Sequence, residues 1–195
     1  MIINNFAYKN ALLDKVMIFF SNDVPYIFMA VIVLIFILGI INNKKENRKI
    51  AVNTVVITAI NLIINLMIRI IFHINRPFVD HNVNLLVSHD TASSFPSNHA
   101  TGTMSIAVAL NKYNKVLGLI MTILSIIVGF SRVYVGDHYP IDIIGSYIIV
   151  FITNYVYNLV LRNKIEELYM NIEKFILGKY EKNKTKYINN KSFYR

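Results

Sequence analysis

The chain has 195 residues, 55% of them apolar, with no cysteine and a net charge of +9. Its mean hydropathy is positive, which suits one membrane-embedded domain, and the lack of cysteine excludes disulfides, a thiolate nucleophile and a thiolate-bound metal. Most of the positive charge falls in one loop and one tail, a pattern that points to membrane topology rather than to a nucleic-acid partner.

Residues 1–23 place Phe6, Leu12, Leu13, Val16, Met17, Phe19 and Phe20 among Lys9, Asp14 and Lys15. That is too charged for a span, and the helical spacing predicts an interfacial helix. Val24 to Ile41 gives 18 residues without a charge and is the first expected span. The loop Asn42 to Lys49 follows, with Lys44, Lys45, Arg48 and Lys49 against Glu46. By the positive-inside rule it faces the cytoplasm. The second span, from about Ile50 to Ile71, carries Arg69 within the membrane. Arg76 is seven residues on, almost two turns, so the two would share a face if the helix persists to Asn75; Pro77 marks its end. The polar loop from Phe78 to Phe95 would then be extracytoplasmic.

Ser97 is a good N-cap for a third span ending near Asn111, which leaves the amides of Asn98, His99 and Ala100 pointing outward as an anion site. About fifteen residues make roughly 22 Å of helix against a hydrocarbon core of about 30 Å, so the outer end is expected to lie below the headgroups. Lys112 and Lys115 flank the inner turn; Val116 to Val135 and Ile141 to Leu161 are the fourth and fifth spans. From Arg162 onward there are nine Lys or Arg and four Glu, with an apolar stripe of Ile165, Leu168, Ile172, Phe175 and Ile176. That predicts an amphipathic helix on the inner leaflet, followed by a disordered Lys- and Asn-rich end.

The expected fold is therefore an all-α membrane protein. It is a helical bundle of about five transmembrane helices, with an N-terminal interfacial helix and a C-terminal amphipathic helix. Residues 1–162 would form the embedded domain and residues 163–195 a basic cytoplasmic tail. Fifteen of the 20 Lys and Arg fall in the inner segments, and Arg69, Arg76 and Arg132 are three of the other five.

Ser131 to Asp142, SRVYVGDHYPID, sets an arginine, a histidine and an aspartate between two apolar runs. If Pro140 opens a helix, Asp142 returns beneath His138, four residues earlier, where it would fix the ring's tautomer. The alternative is an interfacial loop with a solvated histidine and a capping aspartate. The topology, however, brings Arg76, the Ser97–His99 cap and Arg132 to Asp142 to one membrane face. Guanidiniums, a helix N-terminus, two histidines and a carboxylate together suit a phosphate group. A metal site from His81, His89, His99 and Asp142 lacks any supporting spacing such as H-E-x-x-H.

Arg69 to Pro77, Pro96 to His99 and Ser131 to Asp142 resemble the three-part signature of the type 2 phosphatidic acid phosphatase superfamily, which shares its fold with vanadium haloperoxidases. Asn98 replaces the family glycine and Arg69 the family lysine. RPFVDHNVNLL, SFPSNHATG and SRVYVGDHYPIDIIG are most similar to undecaprenyl-diphosphate phosphatases of the bacitracin-resistance type. The resemblance implies a polyprenyl diphosphate as substrate, membrane lipids as surroundings, and neither cofactor nor metal. It implies His138 as a nucleophile oriented by Asp142, and His99 as the proton donor to the leaving group. Arg69, Arg76, Ser97, Asn98 and Arg132 would bind phosphate. It also implies a site facing outside the bacterial cytoplasmic membrane, with the tail inside. A phosphatase for phosphatidate or phosphatidylglycerophosphate is the alternative with the same chemistry; a small anion channel or transporter is the alternative without it.

Overall fold

A computed structural model describes residues 2–88 and 91–176. The predicted disordered end of the tail, together with His89 and Asp90, lies outside the described residues. A 3-10 turn at Asn4–Phe6 precedes α1 (Ala11–Asn22), α2 (Val24–Ile41), α3 (Lys45–Ile71), α4 (Pro77–Asp80), α5 (Asn98–Leu110), α6 (Lys115–Tyr134) and α7 (Pro140–Val160). Residues 162–176 form a further helix, α8.

Local sequence explains most of the boundaries. Asn10 caps α1 by accepting from the amides of Leu12 and Leu13, and Asn114 caps α6 by accepting from Leu117. Prolines stand in the first turns of α2, α4 and α7, where a missing N–H costs no helical bond. α3 begins five residues before the expected span, because its charged first turn is made of good helix formers.

Among the described residues, four helices, α2, α3, α6 and α7, are long and apolar enough to cross a membrane. The expected third span is the short helix α5, capped by Ser97 and Asn111 as expected, with 13 residues and about 20 Å of helix. It does not need membrane length because it is the central helix, packed against α2, α3, α6 and α7 and buried on nearly all sides. Its Ala100, Thr101, Thr103, Ser105 and Ala107 let neighbouring backbones come close. Gly118 does the same from α6, since a Cβ there would lie 2.4 Å from the Asn111 Cα. Phe28, Ile32 and Ile35 of α2, Ile106 and Leu110 of α5, and Met121 and Val128 of α6 fill the core beneath. The outer faces of the long helices expose Val33, Ile63, Ile123 and Ile148, as a lipid-facing surface does.

The N-terminal segment is more than an interfacial helix. Asp14 of α1 is buried and accepts from the Tyr8 amide and from the Tyr134 hydroxyl at 2.8 Å. Asn4 donates to the carbonyls of Asn84 and Tyr134, both at 2.8 Å. The segment thus straps the end of α6, where Tyr134 is buried. α8 also binds through its polar face. Arg48 meets Glu173 at 2.7 Å and Lys49 meets Glu166 at 3.8 Å, while Leu168, Ile172, Phe175 and Ile176 remain exposed.

Candidate active site

The expectation that Arg69 and Arg76 share a helix face fails, because α3 ends at Ile71 and residues 72–76 are extended or irregular. Arg76 reaches the site by a different route. The Ser94 amide donates to the Ile74 carbonyl at 2.8 Å and the Ile74 amide to Ser93 Oγ at 3.2 Å, which lays residues 74–76 beside 92–94. Arg76 Nε then donates to the Ala92 carbonyl at 3.0 Å, and its Nη1 reaches inward.

The α6–α7 loop supplies the opposing groups. Gly136 has φ +87°, a conformation that favours glycine, and a Cβ there would press on Asn4 Nδ2 and the Asn84 carbonyl, each at 3.1 Å. The turn lets the amides of Asp137 and His138 both donate to the Arg132 carbonyl, at 3.1 and 3.2 Å. It folds both side chains beneath the arginines. Pro140 then opens α7 and brings Asp142 back under the ring, as the spacing predicts. His138 Nδ1 lies 3.4 Å from Asp142 Oδ2 and 3.4 Å from Ser94 Oγ. Asp142 Oδ2 also accepts from the Tyr139 amide at 2.8 Å and from Ser94 Oγ. The solvated-histidine alternative is thereby excluded, since His138 is 1% exposed.

Both remaining guanidinium forks meet one carboxylate. Arg76 Nη1 donates to Asp137 Oδ1 and Arg132 Nη2 to Asp137 Oδ2, while His138 Nε2 lies 3.3 Å from the same Oδ2. Arg132 is further fixed by Ser21 Oγ of α1, 2.5 Å from its Nη1. Arg132 and Asp137 are 1% and 0% exposed. Burial holds the His138 imidazole below its ordinary pKa, against the hydrogen bond to Asp142, which raises it.

The remaining predicted residues gather at the start of α5, beside this cluster. Ser97 Oγ caps Ala100, and its amide donates to Ser146 Oγ of α7 at 2.9 Å; Ser146 Oγ in turn donates to the Asp142 carbonyl at 2.6 Å. His99 is half-buried in the first turn. Asn98 is exposed, and its Oδ1 accepts from Asn65 of α3 at 3.1 Å. Arg69 turns its fork on the Pro96 carbonyl, with Nε at 3.1 Å and Nη2 at 2.6 Å. So Arg76, Arg132, His138 and Asp142 form one buried cluster, and Arg69 engages the backbone of the cap. Ser21, Ser94, Asp137 and Ser146 also belong to the cluster, and no short spacing in the sequence gives them a role. Only Asp137 carried a usable signal, as an acidic residue between apolar runs.

The PAP2 superfamily matches residues 50–166, which hold every element of the site but Ser21. This chain belongs to the PAP2 superfamily. It is 29% identical over 155 residues to the undecaprenyl-diphosphatase BcrC of Bacillus subtilis, covering 80% of this chain and 78% of that one. It is 31% identical over 145 residues to an undecaprenyl-diphosphatase of Sulfolobus acidocaldarius, covering 71% of this chain and 66% of that one. Its fold matches the crystal structure of LpxE from Aquifex aeolicus with a TM-score of 0.64 at 23% identity, covering 80% of this chain and 89% of that one. Family and apolar helices together make the PAP2 protein described here a membrane-embedded phosphatase.

Proposed function

We propose that this phosphatase hydrolyses undecaprenyl diphosphate to undecaprenyl phosphate and orthophosphate at the outer face of a bacterial cytoplasmic membrane. The reaction would return the cell-wall lipid carrier to use and thereby confer resistance to bacitracin. The observation that carries the chemistry is the buried His138 ring, with Asp142 at one nitrogen and, at the other, Asp137, whose carboxylate gathers the Arg76 and Arg132 forks. The substrate is argued from the names of the relatives and from the wording of the three signature elements.

His138 Nε2 attacks the terminal phosphorus, the bond from phosphorus to the bridging oxygen breaks, and undecaprenyl phosphate leaves with a proton from His99. His99 then takes a proton from water, which attacks the phosphohistidine; the P–N bond breaks and orthophosphate departs. Asp142 keeps a proton on Nδ1 and offsets the charge the ring gains. Arg76, Arg132, Ser97 and the amides of Asn98 and His99 hold the transferred phosphoryl group. These preorganised donors supply the positive field that phosphoryl transfer requires. Arg69 acts through the Pro96 carbonyl, positioning the cap.

The distribution of charge supports this orientation. Ile50, Lys112 and Arg162 line one small pocket, so the basic inner loops and α8 share the end of the bundle opposite His138. The positive-inside rule sets that end in the cytoplasm. The test is phosphate release from undecaprenyl diphosphate in detergent with chelator present, beside equal concentrations of phosphatidate and phosphatidylglycerophosphate. Preference for either glycerolipid would overturn the substrate assignment.

A further inference from the structure

Asp137 is not part of the three-element signature, yet it takes the central place in the site. Its two carboxylate oxygens accept from Arg76 and Arg132, and one of them lies 3.3 Å from His138 Nε2. Two guanidinium forks and an attacking nitrogen around one pair of oxygens is the arrangement a bound phosphate would have. We propose that Asp137 is an internal competitor for the phosphoryl pocket and so sets which anions enter it. This rests on the phosphatase reading above and specifies how that site selects its ligand.

The charges support competition rather than co-binding. Arg76 and Arg132 carry two formal positive charges and Asp137 and Asp142 two negative ones, so with a neutral imidazole the buried cluster sums to zero. A phosphate dianion added to it would meet a carboxylate directly, and Arg69, the nearby arginine without a carboxylate partner among the described residues, is turned on the Pro96 carbonyl. If the Asp137 side chain rotates out, the cluster gains the net positive charge that a phosphate needs. Asp137 lies in the loop between α6 and α7, just after Gly136, so a rotamer change at one residue is the least motion that clears the arginines.

Asp137 also governs the nucleophile. While it is in place, both ring nitrogens of His138 face carboxylates, Asp142 at Nδ1 and Asp137 at Nε2. A carboxylate at Nε2 favours a proton there, and a protonated Nε2 has no lone pair to attack phosphorus. Once Asp137 leaves, Asp142 alone draws the proton to Nδ1 and Nε2 becomes nucleophilic. A ligand with binding energy elsewhere, such as a second phosphate and a lipid tail, displaces the carboxylate. Orthophosphate, which has neither, displaces it poorly, so the product does not accumulate in the site.

The test compares orthophosphate and orthovanadate binding to the full-length wild type and to Asp137→Asn in detergent micelles, read from thermal midpoint against anion concentration. The variant is expected to half-saturate at an anion concentration about tenfold lower or less, because a neutral amide no longer competes. Equal or weaker binding in the variant would overturn the proposal, since a carboxylate that only orients the arginines gives that sign. If Asp137→Asn fails to fold in chloride, it is prepared in orthophosphate and in chloride of matched ionic strength. Recovery of folded protein in orthophosphate alone supports the competitor role, and failure in both overturns it. Hydrolysis of undecaprenyl diphosphate by the wild type, measured in the same preparation, judges the substrate reading separately.

Discussion

Arg48 at the start of α3 and Arg76, five residues past its end, are both buried, and only the second joins the candidate site. Arg48, 5% exposed, donates to the Gly39 carbonyl at 2.6 Å and pairs with Glu173, with Tyr169 at 3.3 Å. Each partner there is a single group from α2 or α8, and their arrangement only closes the end of the bundle. Near the other end, some 30 Å away along the helix axis, Arg76 and Arg132 share one carboxylate and a buried imidazole joins them. Buried charge alone therefore does not mark the chemistry. Two cations converging on one anion beside a buried imidazole mark the proposed site.

That contrast can be broken at several points. His138→Ala should lower phosphate release by about ten-thousand-fold, as loss of a nucleophile does, with the protein still folded by thermal melt; full activity would remove the nucleophile. Arg132→Lys should lower kcat by roughly a hundredfold or more, because an ammonium cannot span Ser21 and the phosphoryl oxygens as the guanidinium fork does. The pH profile of kcat/KM should be bell-shaped. His138 must be neutral to attack and burial lowers its pKa, so the acid limb should rise through a midpoint below the ordinary value of about 6.5; the other limb should fall as His99 loses its proton. A flat profile from about pH 5 to 9 would refute this division of labour. Arg69→Lys restores the family residue but loses the fork on Pro96, and should cost only a few-fold in kcat. At the other end, Arg48→Met should leave turnover of the folded protein unchanged and lower stability by about 1–3 kcal/mol, the cost of stranding the Gly39 carbonyl and Glu173. An activity loss there as large as at Arg132 would erase the distinction between the two ends.

The parts legible in the sequence were those set by short spacings. Asp142 beneath His138 needed only Pro140 and a helical turn, and Ser97 announced the start of α5. The parts that were not legible depend on residues far apart in the chain. Arg76 reaches the site through an extended segment paired with residues 92–94, and Ser21 meets Arg132 across 111 positions. Asp137 was hidden differently: it occupies a spacer position of the signature, where the pattern specifies no residue type. The central place of α5 was not legible either, because composition shows that a helix is apolar, not whether lipid or protein surrounds it.

The position of α5 also works as a depth gauge. Ser97 lies level with Ser146, six residues and about 9 Å along α7 from its start at Pro140. In the proposed reaction a phosphoryl group would descend that far between the first turns of its neighbours before meeting Ser97. A phosphate at the tip of its carrier can make the descent, whereas one esterified on both sides would be stopped at the rim by its second substituent. On the proposed reading, the bundle would thus sort monoesters and terminal anhydrides from diesters by reach, before any side chain reads their charge.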